Sequence, residues 1–295
     1  MSTRAETPEL VTPTLLRGWP LPGGGSGKND RGSVLVVGGA RKTPGAALLA
    51  GVAALRSGAG RLTLAVAEST AVPLAVAFPE SGVVGLPETA RGSVKGSAAS
   101  LLADQFDAAD AVLIGPGLDD KDEALALLRG LLLPGQGKPK DGPAVVLDAY
   151  ALGCLPDLAD ELKPWAGRLI LTPNTAEGGI LLGRDIEDLK LDVRKIADTY
   201  QAVVSCQGVI AEPGGGLWEI TTGHSGLGTS GSGDVLAGAI AGLRGRGTTN
   251  AQATCWGSHL HAAAGDRLAS RLGGLGYLAR ELCDELPPLM VELSS

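Results

Sequence analysis

The chain has 295 residues, 44% of them apolar, enough to bury a substantial core in one large domain. A formal net charge of −7 leaves no basic field to attract nucleic acid or an anionic membrane surface, and neither is expected as a partner. An anionic substrate therefore has to be held by local dipoles.

The N-terminus carries no secretory signal pattern, and the longest apolar stretch, Ala46–Leu55, is too short to span a bilayer. Cys154, Cys206, Cys255 and Cys283 have neither CxxC nor zinc spacing, and they read as reduced thiols of a cytoplasmic protein. Residues 1–31, rich in Pro, Gly and charge, read as a lead-in segment, with residues 32–295 as a single domain.

Strand and helix then alternate. Val34–Val37 is a short apolar strand, Pro44 marks a helix start, Ala46–Arg56 is helical, and Leu62–Val66 is the next strand. Ala111–Ile114 is a buried strand running into Gly115-Pro116-Gly117, with a helix after it over Lys121–Leu132. Ala144–Leu147 ends at Asp148, and Leu169–Leu171 ends in Thr172-Pro173-Asn174. Asn174–Leu182 and Asp188–Tyr200 are helical. Val203–Cys206, Val209–Glu212 and Trp218–Thr221 are short strands, the last two paired across the Pro213–Gly216 turn. The remaining helices are Asp234–Leu243, Thr249–Leu272 and Tyr277–Leu286. Apolar strands without alternation, most separated by helices, predict an α/β protein whose mostly parallel sheet is covered on both faces. The glycine-rich helical surfaces suit a homo-oligomer.

In such a sheet ligands bind outside the carboxyl ends of the strands. The residues just past each strand are therefore informative: Gly38-Gly39-Ala40, Gly115-Pro116-Gly117, Asp148, and Asn174 with Glu177. Asn174-x-x-Glu177 serves either as a handle for hydrated Mg2+ and phosphate or as a helix capping box. Asp148 fits a ligand contact or a plain turn.

The densest signal is Gly228-Thr229-Ser230-Gly231-Ser232-Gly233-Asp234, which runs directly into a helix. A glycine-rich turn at a helix start bares amides and the positive end of the helix dipole, a seat for phosphate. Asp234, in the first turn, either takes a proton from a substrate hydroxyl beside that seat or simply caps the helix. His259 and His261 are two residues apart on one helix and so make no metal pair. His224, in the loop before Gly228, fits either a phosphate contact or a loop-capping role.

With these residues placed, the chain resembles the ADP/ATP-dependent NAD(P)H-hydrate dehydratases of the ribokinase-like superfamily. The resemblance rests on Gly32–Gly39 through Pro44-Gly45-Ala46-Ala47, Ala53–Gly60, Gly115–Leu118, Leu171-Thr172-Pro173 and Thr229–Gly238, in family order over residues 28–285. It implies a three-layer α/β/α sandwich that phosphorylates the ring hydroxyl of hydrated NADH or NADPH from ADP or ATP, with Mg2+, and then eliminates phosphate. It further implies Ala46, Gly117 and the position of Asn174 facing the hydrated dinucleotide and Gly233 touching the nucleotide, and it agrees with Asp234 as base and substrate contact. The placement of residues at the strand ends adds Asp148 on the dinucleotide side, Gly208, Thr229, Gly231 and Ser232 on the nucleotide side, and Glu177 toward the metal.

This sequence departs from the family pattern at four places. Asn174 stands where the family has His, and Tyr150 stands in its Asp-Ala-Asp-Ala motif. Cys206-Gln207-Gly208-Val209 replaces a Lys-Gly-Ala-x-Thr segment, and His224 replaces an Asn. Losing the lysine removes a point charge near the nucleotide. Asn174 with Glu177 also fits a small-alcohol kinase, and the lost lysine fits a non-catalytic nucleotide-binding protein.

Overall fold

The computed structural model of the chain describes residues 7–132 and 142–294. Its strands are β1 (Glu9–Leu10), β2 (Ser33–Val37), β3 (Arg61–Ala67), β4 (Gly82–Leu86), β5 (Ala111–Ile114), β6 (Ala144–Leu147), β7 (Leu169–Leu171), β8 (Ala202–Cys206), β9 (Val209–Ala211) and β10 (Leu217–Glu219). They form one sheet in the order β1-β10-β9-β8-β7-β6-β5-β2-β3-β4. Only β9 runs against its neighbours. The helices are α1 (Pro13–Gly18), α2 (Pro44–Arg56), α3 (Glu68–Ala77), α4 (Ala103–Asp107), α5 (Lys121–Leu132), α6 (Thr175–Leu182), α7 (Leu189–Tyr200), α8 (Ser232–Gly245), α9 (Asn250–Leu272) and α10 (Ala279–Ser294).

The strands are apolar throughout because both faces are covered, and successive residues feed opposite layers. Val34 and Val36 pack under the layer of α2, α8, α9 and α10. Leu35 and Val37 pack under that of α5, α6 and α7. This is the expected α/β/α sandwich.

The chain order of the strands reverses at β2, which lies between β3 and β5. Loops from the carboxyl ends of β2 and β5 therefore diverge to opposite sides, and a crevice opens between them. The Gly38 and Gly115 turns sit there.

Several elements differ from the sequence expectation. Residues 9–18 are integrated into the fold: β1 pairs with β10, and Val11 and Leu16 are buried in the core. A two-residue strand is too short for any periodicity to reveal. β4 and α3 are also additions; α3 leaves Val72 and Val76 exposed, so it lacks the amphipathic pattern that marks a surface helix. The last helix starts two residues later than expected and continues through Pro287 and Pro288, because Leu289 and Leu293 beyond them are buried.

Among the described residues no helix is long and apolar enough to cross a membrane. All four cysteines are free and buried, packing as small apolar groups.

Candidate active site

Two helices define the site, and close packing sets their relation. Gly238 and Gly242 of α8 lie against Ala50 and Ala54 of α2; a Cβ on either glycine would stand 2.1 or 2.3 Å from the facing carbonyl oxygen. Both contacts advance in the same chain direction, so the helices run parallel. One turn earlier in each helix, Asp234 is level with Ala46. Both positive helix ends thus open on one rim, where they favour an anion without any net positive charge.

The loops from β2 and β5 close the other side. Gly39 and Ala40 donate their amides to the carbonyls of Pro116 and Gly117, each at 2.8 Å. Thr43 Oγ1 also donates to Gly117 O at 2.8 Å. Gly117 has φ +73°, and a Cβ there would meet Thr43 O at 2.4 Å and the Ala46 Cβ at 3.1 Å. Only glycine lets the two loops approach this closely. Ala46 and Gly117 are therefore adjacent.

Asp234 is the third residue of α8, after the left-handed Gly231 at φ +89°. It forms no cap: its carboxylate accepts no hydrogen bond among the described residues, and the capping position is taken by Gly231. Of the two roles the sequence left open, capping is not the one Asp234 fills here. Partial burial pushes its pKa up to about 6, so it stays largely ionised at neutral pH.

The expected row of free amides is narrower than the sequence suggested. The Ser232 amide is donated to Thr229 O, leaving those of Gly231, Gly233 and Asp234 without an acceptor among the described residues. The Ser232 side chain is buried and bonded to His261 Nε2 at 2.9 Å, so it does not face the rim. Full burial pulls His261 down to about 4; it is a neutral positioning partner of the loop. His224 caps its own turn, its Nδ1 accepting from the Gly226 amide at 3.1 Å. Gly233 and Gly45 each face open space where a side chain would go.

Asp148, at the end of β6, is buried and accepts from Thr172 Oγ1 at 2.8 Å. Desolvation pushes its carboxyl up to about 7, with further repulsion from Asp234 and Glu177. Asp148 thus feels the charge of both other carboxylates on this rim. Asn174 and Glu177 close a reciprocal capping box at the start of α6, with both bonds at 2.9 Å. The box uses Glu177 Oε2 and leaves Oε1 available, and burial raises the Glu177 pKa.

Gly208 lies in the two-residue turn Gln207-Gly208 between β8 and β9, with φ +48° and +82°. Because β8 runs parallel to β7, this turn lies at the same sheet edge as the ends of β6 and β7. Among the described residues no group of three or more His, Cys, Asp or Glu side chains is arranged to hold a metal.

The mostly parallel sheet with helices on both faces and its switch at β2 is the ribokinase-like fold class. The family model of the NAD(P)H-hydrate dehydratases matches residues 34–288. The chain belongs to this family of hydro-lyases. It is 41% identical to the ADP-dependent (S)-NAD(P)H-hydrate dehydratase of Xanthomonas campestris, covering 96% of each chain. It is 38% identical to the bifunctional NAD(P)H-hydrate repair enzyme of Moorella thermoacetica, over 89% of this chain and 50% of that protein. The crystal structure of the ADP/ATP-dependent NAD(P)H-hydrate dehydratase of Bacillus subtilis, co-crystallized with ATP/Mg2+, superposes with a TM-score of 0.80. It has 27% identity and coverage of 98% and 100%.

Proposed function

We propose that the chain restores NADH or NADPH from its hydrate, using ADP or ATP as phosphoryl donor. The observation that carries this reading is the free Asp234 carboxylate, set between the starts of two parallel helices. A ring hydroxyl held there gives its proton to Asp234 as its oxygen bonds to the terminal phosphorus and the bridging P–O bond of ADP or ATP breaks, releasing AMP or ADP. The amides of Gly231, Gly233 and Asp234 offset the charge on the migrating phosphoryl group. The phosphate ester then leaves: its C–O bond breaks, a proton departs from the adjacent ring carbon, and inorganic phosphate is released.

Ala46, Gly117 and Asp148 would line the dinucleotide side, and Gly208 and Thr229 the nucleotide side. Asn174, held in the capping box, would present its side-chain amide to the dinucleotide. The donor set suits Mg2+ in its usual hydrated form: Glu177 Oε1 is free to bind a metal-bound water, and nucleotide phosphates would supply the direct ligands. The metal would neutralise phosphate charge. We assign the protein to the cytoplasm, consistent with its free thiols, and expect a homo-oligomer.

Incubation of hydrated NADH with ADP or ATP and Mg2+ tests the reading. Reduced-nicotinamide absorbance should return with one phosphate released per turnover. A stable phosphorylated product would instead identify a kinase, and binding without turnover a non-catalytic protein.

A further inference from the structure

A cavity lies at the sheet edge opposite the candidate active site. It has a volume of about 630 Å3, within the range of small-molecule sites. Trp19, Val203, Pro213 and Trp218 make its apolar wall, and Arg244, Glu212 and Asn250 contribute polar groups. The Trp19 and Trp218 rings are 6.2 Å apart and inclined at 34°.

Arg244 is fixed and only partly used. Its Nε donates to Asn250 Oδ1 at 2.8 Å, and Asn250 in turn donates to Gly167 O at 3.0 Å. The two terminal guanidinium nitrogens meet no acceptor among the described residues. Asp110, the charge felt nearest, has its Oδ2 engaged by Ser33. A planar fork held by its inner nitrogen and open at its outer pair matches a carboxylate. Glu212, whose Oε1 accepts from the Gly216 amide at 3.3 Å, adds a negative charge to the wall. That charge weighs against a dianion.

We propose that this cavity is a binding site for a small planar apolar molecule bearing one carboxylate, held by the Arg244 fork. Arg244 lies ten residues beyond Asp234 on α8, so the cavity is about 15 Å from the candidate base. Its occupant is distinct from the hydrated dinucleotide.

Calorimetry on the intact protein tests this, with indole-3-acetate, its neutral amide and inorganic phosphate as probes, each with and without ADP. The acid should bind saturably at one site whether or not ADP is present, and the amide at least about tenfold more weakly. Arg244→Met should weaken the acid by a similar factor while leaving Tm and dehydratase kcat/KM unchanged. If Arg244→Met lowers Tm, Arg244→Lys keeps the charge and stem but loses the fork, and it should still narrow the preference for acid over amide. The proposal is overturned by equal binding of acid and amide, by absence of saturable binding, by phosphate outcompeting the acid, or by a variant that binds like the parent.

Discussion

Gly238 of α8 sits against Ala50 of α2 so closely that a Cβ on Gly238 would stand 2.1 Å from the Ala50 carbonyl oxygen. This contact, repeated one turn on by Gly242 and Ala54, brings the two helix starts together at the rim.

Gly238→Ala should therefore act at a distance. The helices must separate, at a cost of about 1–3 kcal/mol for overpacking. Asp234 would shift relative to Ala46. Thermal denaturation should register a lower Tm, and kcat/KM should fall although residue 238 touches no substrate.

Asp234→Asn should separate stability from activity. The folded carboxyl, at about 6, lies above its unfolded value, so ionisation at neutral pH opposes folding. The amide removes that cost, and Tm should stay level or rise. Turnover should drop by about 10²–10⁴-fold with loss of the base. Parallel melts and steady-state rates check both halves; an active variant would remove the assignment.

The carboxylates at the rim also set a pH dependence. Asp148 and Asp234 are raised to about 7 and about 6. Groups raised in the folded state contribute stability that is complete below the unfolded value near 4 and is lost as pH climbs through about 6 to 7. The ligand-free protein should thus melt lower at about pH 8 than at about pH 5 through these groups, and Asp148→Asn should flatten that slope.

Glu177→Gln tests the metal role without breaking the fold. Glutamine still closes a capping box, so Tm should hold. Losing the charge should weaken apparent Mg2+ affinity by about tenfold or more if Glu177 orders metal-bound water. A magnesium titration of the rate decides this; an unchanged curve leaves Glu177 a cap alone.

Gly117→Ala should be severe. Its φ of +73° disfavours a side chain, and Thr43 O and Ala46 already occupy the space. Loss of several kcal/mol, or failure to fold, is the expected outcome, read by denaturation and expression of soluble protein.

The sequence by itself determined the layer architecture, because uninterrupted apolar strands separated by helices must be covered on both faces. It also placed Gly115–Gly117, Asp148, Asn174 and Asp234 on one sheet edge, since parallel strands end together. Local sequence could not decide whether Asp234 capped its helix or Glu177 closed a box, because the same residue types serve both purposes. Tertiary structure showed that Asp234 is not the cap and that Glu177 closes the box, and it showed the Ser232 hydroxyl turned inward to His261. It alone aligned α2 with α8, 188 positions apart in the chain at Ala50 and Gly238, and set Arg244 beside a cavity on the far edge. Such relations depend on which distant surfaces pack together, and no local pattern of hydrophobicity or turn chemistry encodes that pairing.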